Sequence, residues 1–418
     1  MPKKKEKSFQ ELLDEKWAAF LAAEKAKKYP NIMLIGKSGA GKSTLVNKVF
    51  GVDIAATSNV APETKDFIFY DGHTFNRKIN LIDSAGYELD QSEEYLNEIL
   101  NAINQEYDGV RVNVIWYCIP LNRERIEPID LRLIKELYDE DAIKGRLCVV
   151  FTQCDEDDED NSREKAFKNV LRNQGMGTLT MFSVCTNDKA PHQLNELIKW
   201  SSGKIEEEDL RYSFISSQMQ DLDLKKQEAQ RIIDLACTET ALSKLFDQIN
   251  DKDRSDELAE YQIQMVTNIF GVYGIDCLEG ISKSFEKGTG FSKLCSFVTD
   301  GIVTLISKKE SLATEFVIKG FKLGIPVALT KGIGTLASRA SYRYVKAHIN
   351  GVPVKLEELY SDPKHAGFIK LIVQDFFDTM KEKTEKVDEE NAEAQKNTRE
   401  KKGKSSGGKK AKRNSKAK

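Results

Sequence analysis

The run Gly36-Lys37-Ser38-Gly39-Ala40-Gly41-Lys42-Ser43 carries the chemistry most plainly written in this chain. It satisfies G-x-x-x-x-G-K-[ST], a pattern whose glycines let the backbone curl until several N–H groups converge on phosphate oxygens. Residues 31–35 read as an apolar strand entering the loop. Residues 44–50 read as a helix leaving it, with Gly51 suited to end that helix. A helix N-terminus at this place adds partial positive charge where phosphates would sit. The residues from Gly36 through Ser43, with Thr44, are therefore candidates for holding a nucleoside triphosphate. Lys42 would reach the β- and γ-phosphates and is a catalytic candidate, and the Ser43 hydroxyl would ligate Mg²⁺.

Three further segments bear on which nucleotide is held. Asp83-Ser84-Ala85-Gly86 follows the apolar run 79–82, so Asp83 stands at a strand end, where it can hold a Mg²⁺-bound water. The Gly86 amide can approach a γ-phosphate because no Cβ blocks it. Thr152-Gln153-Cys154-Asp155 follows the run 146–151 and resembles the [NT]-K-x-D motif by which GTPases read guanine. The Asp155 carboxylate can accept hydrogen bonds from the ring N–H and the exocyclic amine of guanine. Adenine lacks that donor pair and would leave a buried carboxylate unpaired, a discrimination on the order of 10⁴. Gln153 stands where that motif has lysine; it can cover the base but brings no charge. Ser183-Val184-Cys185, after 179–182, matches the position of a loop whose backbone contacts the base. Between the first two motifs, 55–65 is rich in small and turn residues. Thr64, after Pro62, is the candidate switch threonine that ligates Mg²⁺ and senses the γ-phosphate, with Thr57 as the alternative.

These motifs need a frame, and the chain supplies one. Strand signals lie at 31–36, 66–70, 78–83, 112–119, 146–152 and 179–184, the second and third joined across Asp71-Gly72 as an antiparallel hairpin. Helix signals lie at 93–107, 128–139, 161–173 and 190–201. The near-continuous apolar run Val112 to Ile119 suits a sheet covered on both faces. The expected fold is α/β, a doubly wound, mainly parallel sheet, followed by a mostly helical domain. The divisions read as an N-terminal amphipathic helix over 1–29, opened by a Ser8/Glu11 capping box, and a nucleotide-binding domain over 30–203. A helical domain over 204–378 and a disordered, charged and basic tail over 379–418 follow. Within the helical part, 315–344 is apolar but broken by Lys319, Lys322, Lys331 and Arg339, and Gly320 and Gly324 have G-x-x-x-G spacing. It reads either as a tightly packed helical core or as a hairpin lying on a bilayer.

The 63 basic and 66 acidic residues nearly cancel, so no global field points to nucleic acid or membrane. Seven cysteines without metal-ligand spacing suit a reducing compartment, and four dispersed histidines make no metal or nucleophile cluster. The charged N-terminus lacks a secretory h-region, and no clean apolar stretch is long enough to span a membrane.

Taken together, residues 31–202 resemble an Era-like GTPase of the translation-factor-related P-loop class, with a hydrophobic helical domain appended. Gln262, Met265 and Tyr273-Gly274 are similar to positions of that appended domain. The resemblance implies a Mg²⁺-dependent protein that binds GTP and GDP and hydrolyses GTP. Tyr87 stands where Ras-like enzymes place a water-orienting glutamine, so hydrolysis should be slow without a partner or a second copy of the domain. Glu88 is a candidate substitute, and Gly39, where potassium-using relatives carry asparagine, implies no potassium dependence. The expected role is a cytoplasmic molecular switch. The alternative is a GTP-regulated, self-assembling scaffold or membrane-associated remodelling protein. Expected contacts are self-association through the GTPase domain and a protein, membrane or RNA partner at the helical domain or basic tail.

Overall fold

The computed structural model describes residues 26–52, 67–74, 76–84, 92–157, 160–185, 193–250, 255–275 and 324–354, with isolated helical positions at 19, 22 and 23. The Ser8/Glu11 capping box, the segment 315–323 and the basic tail lie outside the described residues.

A seven-stranded sheet carries the first half of the chain, in the order β2-β3-β1-β5-β6-β7, with β4 paired to β5 off that path. Its strands are β1 (Asn31–Ile35), β2 (Phe67–Tyr70), β3 (Asn80–Ser84), β4 (Glu106–Tyr107), β5 (Val110–Pro120), β6 (Leu147–Thr152) and β7 (Thr180–Ser183). Only the β2–β3 and β4–β5 pairs are antiparallel. The helices of this part are α1 (Lys42–Phe50), α2 (Ser92–Asn104), α3 (Pro128–Asp139), α4 (Asp141–Lys144), α5 (Ser162–Asn173), α6 (Leu194–Lys204) and α7 (Glu208–Ser217).

Alternation along the strands divides the core in two. Met33, Ile35, Ile115, Tyr117, Val149 and Phe151 face α2, α3 and α5. Ile32, Leu34, Val114, Trp116, Cys148 and Val150 face α1, α6 and α7. Covered on both sides, β1 is buried along its whole length, as the apolar runs require. The expected fold class is the one observed.

The differences are local. The helix expected over 93–107 stops at Asn104, because Asp108 and Gly109 adopt φ of 52° and 66° and turn the chain back through β4 into β5. The β2–β3 connection is longer than Asp71-Gly72: β3 starts at Asn80, whose Oδ1 accepts the Gly72 N–H at 2.9 Å.

The C-terminal carbonyls of α1 find partners outside the helix or at its cap. Asn47 O accepts from Gly51 N (2.9 Å) and Val49 O from Met219 N (2.7 Å). Lys48 O accepts from Gln220 Nε2 (2.7 Å), and Phe50 O from Arg77 Nε (2.9 Å). These bonds satisfy groups that every helix end leaves open.

Beyond α7, the helices α8 (Leu222–Asn250), α9 (Ser255–Tyr273) and α10 (Gly324–Ile349) pack on one another. Ile233, Met265, Phe270, Ile333, Leu336 and Ala337 are buried between them. Gly334 permits the approach, since a Cβ there would stand 2.7 Å from Ile233 Cγ1 and 2.9 Å from Met265 Sδ. Thr330 meets Thr240 at 3.3 Å and Gln262 at 3.2 Å. Residues 324–349 are thus part of a packed helical core, one of the two readings of 315–344. Among the described residues no helix is long and apolar enough to cross a membrane.

Candidate nucleotide-binding site

The loop between β1 and α1 turns on Gly36, Gly39 and Gly41, with φ of 145°, 76° and 81°. Gly36 is excluded from bearing a side chain a second time, because a Cβ would stand 2.5 Å from the Cys118 carbonyl oxygen on β5. Ala40 N donates to Lys37 O at 3.0 Å and closes the turn. Gly41 caps α1 without a side-chain bond, and the first turn of α1 has no acidic residue. No negative side chain in that turn opposes an incoming anion.

Lys42 is buried and lies across the loop. Its Nζ donates to Gly36 O at 2.8 Å and stands 3.8 Å from Asp83 Oδ1. Asp83 is mostly buried at the end of β3, and its Oδ1 has no hydrogen-bond partner. Burial, partly offset by Lys42, pushes its carboxyl up to about 6. A buried carboxylate oxygen without a donor is poised for a cation or its water. Ser43, exposed in the first turn of α1, adds a hydroxyl of the hard-oxygen type that Mg²⁺ prefers. The residues present fit the ion: Ser43 would ligate it, Asp83 would hold it through water, and it would neutralise phosphate charge.

The purine side is built by the turn after β6. Thr152 is buried, and its Oγ1 donates to Ala40 O at 2.6 Å. Gln153, at φ 54°, donates through Nε2 to Gly39 O at 3.2 Å. Where a lysine is usual, this amide still ties the turn to the phosphate loop. Asp155 follows on the short 3-10 turn Cys154–Glu156 and is exposed. It is not buried as its role in rejecting adenine requires, so a bound base must itself cover the carboxylate. Ser183 and Val184 are buried with their amides already paired, Ser183 N to Gln193 Oε1 (3.0 Å) and Val184 N to Phe151 O (2.7 Å). The Ser183 hydroxyl is buried without a hydrogen-bond partner.

The structure thus joins Gly36 through Thr44, Asp83, Thr152 and Gln153 into one cradle. Thr57, Thr64, Gly86, Tyr87 and Glu88 lie outside the described residues. Two contributors escaped sequence reasoning. Gln193 braces the 183–184 turn from the start of α6, and the Cys118 carbonyl fixes the identity of residue 36. Neither belongs to a motif: the connection from β7 into α6 brings in Gln193, and the β1–β5 pairing brings in Cys118.

Residues 31–153 match the family model of the 50S ribosome-binding GTPases. They are an Era-like P-loop GTPase domain. Curated relatives of this domain include GTPase Der of Aquifex aeolicus, 24% identical over 189 residues, covering 44% of this chain and 41% of that protein. GTPase Der of Lactococcus lactis is 34% identical over 70 residues, 17% of this chain and 16% of its own length. GTPase Era of Streptomyces coelicolor is 34% identical over 103 residues, 25% of this chain and 31% of its own. The chain therefore spans well under half the length of these relatives. Among solved structures, Toc33 from Arabidopsis thaliana in complex with Mg²⁺ and GMPPNP aligns at 18% identity. It covers 44% of this chain and 83% of that one, with a TM-score of 0.28.

Proposed function

We propose that this chain is a Mg²⁺-dependent GTP-binding protein that hydrolyses GTP slowly and works as a molecular switch. The observation that carries the reading is the pair of bonds from Thr152 to Ala40 and from Gln153 to Gly39. They make the phosphate loop and the purine turn one piece, so a single ligand must satisfy both. Phosphate would take Lys42 Nζ from the Gly36 carbonyl, and Mg²⁺ would settle between Ser43 and Asp83. Thr64 and Gly86 are proposed to sense the γ-phosphate, and Tyr87 in place of glutamine accounts for slow turnover. The helical region would read the change and meet a protein, membrane or RNA partner. Free cysteines at 118, 148, 154, 185 and 237 support a reducing, cytoplasmic setting.

The test is nucleotide titration of the full chain with fluorescent GDP and ADP. GDP should bind far more tightly, and Asp155→Ala should erase most of the difference. Equal affinities in the unmodified protein would remove Asp155 from this role. Turnover measured against protein concentration then separates a lone switch from catalysis by self-pairing.

A further inference from the structure

The purine turn holds a pair of side chains that nucleotide binding does not use. Cys154 follows Gln153 after β6, and Cys185 follows Val184 after β7. These strands run in parallel with Phe151 opposite Ser183, so the two chain segments leave the sheet side by side. Both cysteines are buried, at 6% and 3% exposure, and neither is bridged. Both are packed in the same core cluster, on the face of the sheet covered by α2, α3 and α5.

We infer that Cys154 and Cys185 form a dithiol site that a hydroperoxide converts to a disulfide, and that the disulfide weakens guanine-nucleotide binding. The second clause rests on the function proposed above; the first does not. One thiol, once ionised, attacks a peroxide oxygen. The O–O bond breaks, and the departing hydroxide takes the thiol's proton as water, leaving a sulfenic acid. The second thiol attacks that sulfur, and its proton leaves with the hydroxyl as a second water. The thiols lose two electrons and hydrogen peroxide gains them.

Burial, then the neighbouring Cys185 and Asp155, push the Cys154 thiol up. The thiolate needed for attack is therefore scarce while the turn is closed. A base seated on the turn keeps it closed. An S–S bond of about 2 Å is shorter than any contact between two unbridged thiols. Forming it pulls Cys154 toward Cys185 and displaces Asp155, the next residue.

The experiment treats the full chain with hydrogen peroxide, with and without GDP, and maps peptides by mass spectrometry under non-reducing conditions. A 154–185 cross-linked peptide two hydrogens lighter should form, more slowly with GDP present. Fluorescent GDP should then bind at least about tenfold more weakly, the loss of one hydrogen bond to a charged group, and thiol reductant should restore it. In Cys154→Ser, peroxide should leave the GDP affinity where it stood before treatment. No 154–185 peptide under either condition overturns the site. A cross-link that leaves GDP affinity unchanged overturns its effect on binding. Failure of the untreated protein to bind GDP overturns the guanine reading, while the cross-link mass still decides the site.

Discussion

The Thr152 hydroxyl donates a 2.6 Å hydrogen bond to the Ala40 carbonyl oxygen, across the space between the end of β6 and the phosphate loop. Both residues are buried, so water does not replace the bond when it is lost. Thr152→Val keeps the shape and removes the donor. It should cost about 1–3 kcal/mol of stability and weaken GDP binding about tenfold, read by urea unfolding and fluorescent-GDP titration. Undiminished GDP affinity would show that loop and turn act independently.

The loop glycines should not be equivalent. A methyl at Gly36 meets a backbone oxygen at 2.5 Å, whereas nothing lies within 4 Å of one at Gly39. Gly39→Ala therefore pays only for left-handed backbone, about 1–2 kcal/mol. Gly36→Ala must also move β5 or the loop, and should cost about 3 kcal/mol or more. Thermal unfolding of the two variants should place Gly36→Ala clearly lower; the reverse order would contradict the loop geometry.

Asp83 gives the nucleotide-free protein a pH dependence of unusual sign. Burial lifts its carboxyl from 3.8 to about 6, against the opposing pull of Lys42. Between those values the folded protein binds the proton and the unfolded chain does not. This group's contribution to stability therefore falls as pH rises from about 4 to about 6, and stays lost above. In chelator and without nucleotide, Asp83→Asn should be more stable than the unmodified protein at pH 7, by up to about 3 kcal/mol. The advantage should vanish near pH 4. Urea unfolding at the two pH values checks it, and an equal difference at both would assign the effect elsewhere.

Gly334 lets α10 lie against Ile233 of α8 and Met265 of α9. Gly334→Val should cost about 1–3 kcal/mol by overpacking and raise hydrogen exchange in α8, α9 and α10. GDP affinity should hold if the bundle and the sheet are separate units. A matching collapse in nucleotide binding would mean that they fold as one.

Much of this arrangement was legible in the sequence because it is locally encoded. The loop glycines, the apolar strands and the acid at the end of β3 announce themselves by type and spacing. The strand β4 was also legible, since Asp108-Gly109 is a hairpin signal. A helical period carried through Tyr107 hid it, although that tyrosine is buried equally well from a strand. What the sequence could not express is contact between distant segments. Arg77 reaching Phe50 and the Cys118 carbonyl closing over Gly36 depend on how the strands are ordered, and Gln193 reaching Ser183 depends on how the chain returns from β7 into α6. The exposure of Asp155 was equally hidden, because a motif names the residue and not its surroundings.

The bonds at the far end of α1 bear on where this protein can be divided. A cut at residue 203, where strand signals cease, would strip Lys48 and Val49 of the donors that Gln220 and Met219 provide. A fragment that keeps these donors must extend through Gln220. The short peptide of Met219 and Gln220 is also the tether between the bundle and the helix whose other end begins at the glycine loop, so a load pulling on one is felt as tension at the foot of the other.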